Sequence, residues 1–169
     1  MRKFLLLTLA ALFAVAVTSS MALATINPAN GPSGAHFQAG TSATCTTSGT
    51  TVSCTGYEVA GVGNANATAS LTANYTANVT CSNKGTNPNN DVESQATSFS
   101  TQNNTGALRP KNGRLAVPAL SVGAPTSPPA GSCPNGNWTA AFAAGSPTLV
   151  GFTYTLSFVG FTGAWLTLP

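Results

Sequence analysis

Apolar and polar residues alternate along most of the chain, most clearly over residues 67–81. The odd-numbered positions of this segment are Ala, Leu, Tyr, Val and Cys, and the even-numbered positions are Thr, Ser and Asn. Because successive side chains of a β-strand point to opposite faces, the pattern predicts a long strand with one buried face. The same alternation recurs over residues 150–158, and no segment beyond residue 34 has the period of a helix.

Turn signals divide these predicted strands from one another. Asn112-Gly113 is the strongest hairpin signal, and we expect it to pair residues 108–111 with residues 114–117, ending at Leu108 opposite Val117. A further turn is predicted at residues 87–90, and a proline-rich loop at residues 122–132. Short strands separated by such turns indicate an all-β fold, an antiparallel β-sandwich of immunoglobulin-like or jelly-roll-like type, with a small β-barrel as the alternative.

The two ends of this predicted domain differ in character. Residues 25–34 are rich in Pro, Asn and Gly and are interpreted as an extended lead-in, and residues 35–169 as a single domain. From Val159 onward the alternation loses its polar side, so the last strand must be buried on both faces or meet a partner. It is therefore either a central strand of the same domain or a strand that pairs with another subunit.

The first 24 residues have the organisation of a cleaved secretory signal peptide. Arg2 and Lys3 precede an apolar run over residues 4–17, and Ala22-Leu23-Ala24 supplies a small-x-small cleavage site. A membrane anchor is the alternative, but the run falls short of the roughly 20 apolar residues that a spanning helix needs. We expect a secreted protein, extracellular or at the cell surface, with no membrane span in the mature chain.

The four cysteines predict two disulfides, because an even number in an exported chain is typical of a disulfide framework. Gly49-Thr50 fits a two-residue hairpin loop, which places Cys45 and Cys54 opposite each other at a non-hydrogen-bonded position. Cys81 then pairs with Cys133. A metal site is disfavoured because the cysteines have no C-x-x-C spacing, and no cofactor is expected.

Three segments carry a resemblance to a known group of proteins. Residues 54–63 (CTGYEVAGVG), 133–138 (CPNGNW) and 152–158 (FTYTLSF) together resemble small secreted proteins of Gram-positive, actinobacterial-type bacteria, a group with no assigned activity. The resemblance implies export and a single domain, and it implies no reaction.

Charged residues make up 5% of the chain, against roughly 25% in an average globular domain. This scarcity excludes charge-rich disorder, coiled coils and strongly basic nucleic-acid binders. It also leaves few groups for catalysis: His36, Glu58, Asp91 and Glu93 are the acid–base candidates, and no G-x-S-x-G motif accompanies them. We therefore expect no enzyme. Asp91 and Glu93 are a weak candidate for Ca²⁺ binding, since they point the same way on a predicted strand.

Arg109, Lys111 and Arg114 surround the predicted tip at Asn112-Gly113. They are candidates for contact with an anionic glycan, wall polymer or membrane surface. The alternative is a solvated charged hairpin that discourages pairing between sheet edges.

Two further surfaces are candidates for binding. Tyr57, Trp138 and Trp165 are candidates for stacking on a glycan. The uncharged Thr, Ser and Asn positions of residues 67–81 could lie against a glycan or against a copy of the same face. The resulting hypothesis is a secreted, non-catalytic structural or surface-interaction protein that can associate with itself. The alternatives are a carbohydrate-binding module and a small secreted hydrolase, and the expected partners are the protein itself or an extracellular polysaccharide.

Overall fold

The structure is a computed structural model. It describes residues 24–83 and 92–169, with the backbone alone at Val92 and Glu93. Within these ranges the fold is all-β, and antiparallel strands form one six-stranded and two three-stranded sheets. The strands are β1 (Thr25–Ile26), β2 (His36–Phe37), β3 (Cys45–Ser48), β4 (Thr51–Cys54), β5 (Tyr57–Ala60), β6 (Ala67–Asn83), β7 (Val92–Asn104), β8 (Arg114–Val117), β9 (Leu120–Val122), β10 (Trp138–Phe142), β11 (Thr148–Phe158) and β12 (Leu166–Leu168).

Strand β6 lies at the centre of the six-stranded sheet. On one side it pairs with β7 along 13 residue pairs, and on the other side it pairs first with β11 and then with β10. Strands β12 and β1 continue the sheet beyond β11. The sheet stays open, with β7 at one edge and β1 and β10 at the other, so the alternative of a closed small barrel is wrong.

The predicted alternation of β6 is confirmed, and it sets the two layers of the sandwich. All odd-numbered residues from Ala67 to Cys81 are buried, whereas the even-numbered ones are half-buried or exposed. The sheets β2-β5-β8 and β3-β4-β9 contribute to the same core as this inner face. Two hydroxyl contacts join the layers: Tyr154 donates to the Tyr57 hydroxyl at 3.0 Å, and Tyr75 donates to the Thr50 carbonyl at 2.9 Å.

Small residues on β6 make room for aromatic residues on its neighbours. Phe99 on β7 and Phe142 on β10 stack with their ring centroids 5.9 Å apart, although their strands lie on opposite sides of β6. Ala77 lies between them on β6, and its single methyl group lets the two rings meet above the central strand. Phe99 also stacks on Tyr75 at 5.4 Å. The alanines of β6 are therefore part of the packing.

Both predicted disulfides are confirmed, and so is the first hairpin. Strands β3 and β4 pair in the predicted register, with Cys45 opposite Cys54 and their Cα atoms 4.0 Å apart. The Cα atoms of Cys81 and Cys133 are 5.7 Å apart. This second bridge ties the strand-free segment 123–137 to the inner face of β6.

The prediction of the second hairpin is confirmed at its turn and is wrong beyond the turn. Lys111 and Arg114 exchange backbone hydrogen bonds of 2.7 and 3.0 Å around the turn. Val117, however, lies opposite Tyr57 on β5, and Leu108 exchanges its backbone hydrogen bonds with Ala67. The two arms therefore diverge after one pair, because each arm finds a longer-range partner in a different sheet.

The segment expected as a lead-in belongs to the folded domain. Its first residues form β1, and the Asn27 N–H donates to the Trp165 carbonyl at 2.8 Å. A Cβ atom on Gly31 would lie 2.5 Å from the Trp165 ring, so this close approach requires glycine. Strand β12 lies between β1 and β11, with Leu166 and Leu168 buried. Of the two expectations for the C-terminal strand, the strand inside its own domain is confirmed.

Several predictions fall outside the described residues. They are the signal peptide apart from Ala24, the turn at residues 87–90, Asp91 and the side chain of Glu93. Among the residues that the structure describes, no helix is long and apolar enough to cross a membrane.

Candidate functional site

The cationic tip is built by the Asn112-Gly113 turn. Both residues have positive φ, +52° at Asn112 and +72° at Gly113, as a type I′ turn requires. The turn brings the side chains of Arg109, Lys111 and Arg114 to the rim of one shallow depression of about 470 Å³, which Glu58, Asn112 and Ala116 complete. We call Arg109, Lys111 and Arg114 the cationic tip.

One cation of the tip is paired, and the other two are not. Arg114 Nη1 lies 3.1 Å from Glu58 Oε1, with 56% of the arginine side chain and 32% of the glutamate side chain exposed. An ion pair this exposed contributes only about 0–1 kcal/mol to stability. Within the described ranges, Arg109 and Lys111 form no ion pair. The depression therefore carries three positive charges and one negative charge, which gives a local excess of positive charge.

The ionisable residues of the small sheet β2-β5-β8 share its outer face. His36 lies opposite Ala60, which in turn lies opposite Arg114. Because alternate residues of a strand share a face, Glu58 lies on this face too, two residues from Ala60. His36 is exposed and its Nδ1 atom is 2.7 Å from the Gly34 carbonyl oxygen. This side of the molecule therefore combines the cationic tip with its neighbouring acid and histidine.

The two acid–base candidates whose side chains the structure describes, His36 and Glu58, do not form a recognisable catalytic constellation. Glu58 is engaged with Arg114, and His36 is engaged with the backbone of its own loop. In the described part of the chain, no three side chains among His, Cys, Asp and Glu come close enough together to hold a metal ion. The Ca²⁺ candidates Asp91 and Glu93 cannot be placed, because their side chains lie outside the described residues.

The described residues on the opposite side of the molecule are polar and uncharged. The face of the six-stranded sheet that points away from the core, called here the outer face, runs across β7, β6, β11, β12 and β1. One row across it reads Asn104, Ser70, Thr155, Thr167 and Thr25. Its remaining positions on the three long strands are Ser94, Ala96, Ser98, Ser100, Gln102, Thr68, Thr72, Asn74, Thr76, Asn78, Thr80, Ser82, Thr148, Gly151, Thr153 and Ser157.

The structure extends what the sequence indicated for this face. The sequence pointed to the polar row of one strand, whereas pairing places equivalent rows of β7 and β11 beside it. Residues 94–104 are polar at nearly every position, and residues 153–157 alternate, but only the strand register shows which of these polar positions share a face. Val150 is a large apolar residue near this face, and it is 66% exposed at an irregularity between Leu149 and Gly151.

Two of the three aromatic residues proposed for glycan stacking belong to the core. Tyr57 is 5% exposed and Trp165 is 1% exposed, and Phe37 packs against both rings at 5.4 and 5.6 Å. Their burial does not fit a role in stacking on a ligand at the surface. Trp138 is half-buried beside a shallow depression of about 480 Å³ that is lined mainly by residues 128–136.

Burial also changes the chemistry of two tyrosines. Burial, reinforced by the neighbouring Tyr154 hydroxyl, raises the pKa of Tyr57 far above its ordinary value. Burial raises the pKa of Tyr154 as well, although its hydrogen bond to Tyr57 acts in the opposite direction. Both hydroxyl groups therefore stay protonated in the folded protein, which suits a structural contact between the two layers.

Comparison of the chain with protein-family models, curated proteins and solved structures found no match. A function for this protein is therefore argued from the geometry of its own surfaces.

Proposed function

We propose that the protein is secreted and acts without catalysis, as a surface-interaction protein whose cationic tip contacts an anionic polymer or surface. The observation that carries the proposal is the grouping of Arg109, Lys111 and Arg114 around one depression with a single acid, Glu58. Three of the six Lys and Arg residues of the whole chain lie there. Grouped cations attract an anionic partner more strongly than the same charges spread over the surface.

Two further features support a binding role outside the cell. Disulfides form and persist in oxidising compartments, and this chain has two. The acid and the histidine closest to the tip are engaged in local contacts, Glu58 with Arg114 and His36 with the Gly34 carbonyl. Among the side chains that the structure describes, neither is arranged with a second acid–base group as hydrolysis requires.

The proposal is tested by replacing Arg109, Lys111 and Arg114 together with Ser. Binding to beads that carry phosphate groups, and to beads that carry carboxylate groups, is measured at low and high salt. We expect the affinity of the variant to fall at least about tenfold at low salt and the difference to vanish at high salt, because ions screen exposed charges. The two kinds of beads distinguish a phosphate polymer from a carboxylate polymer.

The matched control keeps the total charge and moves its position. It carries the same three serines together with Asn74→Lys, Asn78→Lys and Thr153→Lys, which place three cations at exposed positions of the outer face. If binding depends on the tip, this control binds as weakly as the triple serine variant. Recovery of binding in the control would show that net charge alone is responsible, and the proposal would then be wrong.

A second candidate function, binding of a neutral carbohydrate, is favoured by Trp138 alone. Its half-buried ring lies beside a depression lined by Pro128, Pro129 and Pro134, and aromatic rings of this kind pack against sugar rings. Titration with neutral polysaccharides should then change the tryptophan fluorescence, and Trp138→Ala should abolish the change. A fluorescence change that persists in Trp138→Ala would assign the signal to buried Trp165 and remove this candidate.

A further inference from the structure

Strand β7 is the long free edge of the six-stranded sheet. It runs for 13 residues, whereas the edge strands β1, β2, β3, β8, β9 and β10 are two to five residues long. Among the described residues, β7 pairs with β6 on one side and with no strand on the other. An unpaired edge presents a row of N–H and C=O groups that can accept another strand.

The direction of these backbone groups follows from the hydrogen bonds at two positions. The Thr105 N–H donates to the Ala69 carbonyl at 3.0 Å, so this pair is bonded, and the pairs then alternate along an antiparallel ladder. The pair of Asn78 and Ala96 is expected to be non-bonded in this alternation. The Asn78 carbonyl indeed accepts from the Ala143 N–H, on the side of β6 away from β7. The residues of β7 that direct N–H and C=O away from β6 are therefore Ser94, Ala96, Ser98, Ser100, Gln102 and Asn104.

Residues 94–104 of this edge lack the features that normally block strand pairing, and Glu93, the one charged residue of β7, precedes this stretch. Natural edge strands carry Lys, Pro or a bulge, or are kept short. Residues 94–104 contain no charged residue and no proline, and the β6–β7 register has no irregularity. By contrast, edge strand β8 begins at Arg114 and is followed by Pro118.

Part of the edge is occupied by a neighbouring strand. The Thr101 hydroxyl donates to the Gly123 carbonyl at 3.1 Å, and the Asn103 amide donates to the Ser121 carbonyl at 2.9 Å. Both acceptors lie on or next to β9, which approaches β7 at this end. Between residues 94 and 100, the outward-directed backbone groups of Ser94, Ala96, Ser98 and Ser100 pair with no strand that the structure describes.

We propose that a second copy of this chain pairs with β7 through residues 94–100, antiparallel and around a twofold axis at Thr97. In this register Ser94 lies opposite Ser100 of the partner subunit, and Ala96 lies opposite Ser98 of the partner subunit. These residues direct their backbone groups outward, so the twofold axis generates four bonded pairs and about eight hydrogen bonds. The six-stranded sheet of each copy continues into the other.

The side chains of this segment favour a second copy over a different protein. Ser94, Ala96, Ser98 and Ser100 are small, uncharged and on the outer face, so identical segments meet without repulsion or steric conflict. A twofold axis makes the same segment serve both partners. The cationic tip takes no part in this pairing. Failure of the dimer proposal would therefore leave the proposed binding of an anionic partner untouched, and the reverse also holds.

The first test compares two lysine variants by analytical ultracentrifugation. The wild type should form a dimer as its concentration is raised from about 1 µM to about 1 mM. Ser98→Lys places a charge on the edge and should raise the dimer dissociation constant at least about tenfold. Thr76→Lys is the matched control, because Thr76 lies directly opposite Ser98 on β6, is exposed, and is on the same face. It should leave the constant within about threefold of the wild type.

The second test does not depend on the folding of a lysine variant. Thr97→Cys places two thiols at the twofold axis, at a non-hydrogen-bonded pair where Cα atoms approach to about 4.5 Å. Mild oxidation of the folded protein should give a disulfide-linked dimer within minutes. Thr153→Cys, exposed on the same sheet at β11, is the control for collisional cross-linking.

Three outcomes would overturn the proposal. The first is a wild type that stays monomeric up to about 1 mM while Thr97→Cys cross-links no faster than Thr153→Cys. The second is a wild-type dimer that Ser98→Lys and Thr76→Lys weaken equally, which would assign the contact to the outer face. The third is a dimer that neither substitution weakens.

Discussion

Removal of the two disulfides, one at a time, should lower the stability of the protein by unequal amounts. The bridge Cys45–Cys54 closes a loop with a sequence separation of 9, whereas Cys81–Cys133 closes one of 52. A disulfide stabilises mainly by restricting the unfolded chain, and the restriction grows with the logarithm of loop length. The expected losses are about 2.6 kcal/mol for the short loop and about 4.1 kcal/mol for the long loop.

The difference between the two losses, about 1.5 kcal/mol, is the more reliable quantity, because the constant part of the loop-closure entropy cancels. The double variants Cys45→Ala/Cys54→Ala and Cys81→Ala/Cys133→Ala each remove two sulfur atoms. Three of the four cysteines are at most 6% exposed, so the packing lost is similar in both. The comparison therefore isolates the effect of loop length.

The assay is equilibrium unfolding in urea, followed by tryptophan fluorescence, to which Trp165, 1% exposed in the core, contributes together with Trp138. The midpoint and the slope give the free energy of unfolding for each variant. Equal losses, or a larger loss for the short loop, would refute the chain-entropy reasoning. A changed slope would instead show that a variant alters the compactness of the unfolded or the folded state.

Two further predictions concern single positions in the core and its turns. Gly61→Ala should destabilise the protein by more than about 2 kcal/mol, because φ is +72° and the new Cβ would collide with the Gly34 carbonyl oxygen. Gly63→Ala is the control, because φ is +56° there and a Cβ would meet nothing within 4 Å. It should lower the stability by only about 1 kcal/mol in the same urea assay. The raised pKa values of Tyr57 and Tyr154 mean that the unfolded chain releases these protons first. The contribution of these two groups to the free energy of unfolding is therefore constant below about pH 10 and falls as the pH rises further. Tyrosinate absorbance of all three tyrosines that develops while the protein remains folded would contradict this.

The fold was predictable where neighbouring residues determine it. The alternation of residues 67–81 predicted both faces of β6, and the Gly49-Thr50 turn predicted the register that joins Cys45 to Cys54. The prediction failed where two segments compete for a partner. The arm that ends at Leu108 bonds to Ala67 rather than to its hairpin neighbour, and no pattern near Leu108 indicates this.

The candidate site likewise has one part that was predictable from neighbouring residues and one part that was not. The turn at Asn112-Gly113 and the three cations around it follow from adjacent residues. The ion pair of Arg114 with Glu58 does not, because it requires β5 to pair with β8 across 56 residues of sequence.

By itself, the amino-acid sequence determined the β-strands, the two hairpin turns and the pairing of the cysteines, because side-chain alternation and turn chemistry act over a few residues. Only the tertiary structure decided which strands lie side by side, since lateral pairing depends on packing between segments far apart in the chain. That pairing places β1 beside β12, which makes the segment after Ala24 part of the sheet. It also joins the polar rows of β7, β6 and β11 into one uncharged face and leaves β7 as a long free edge.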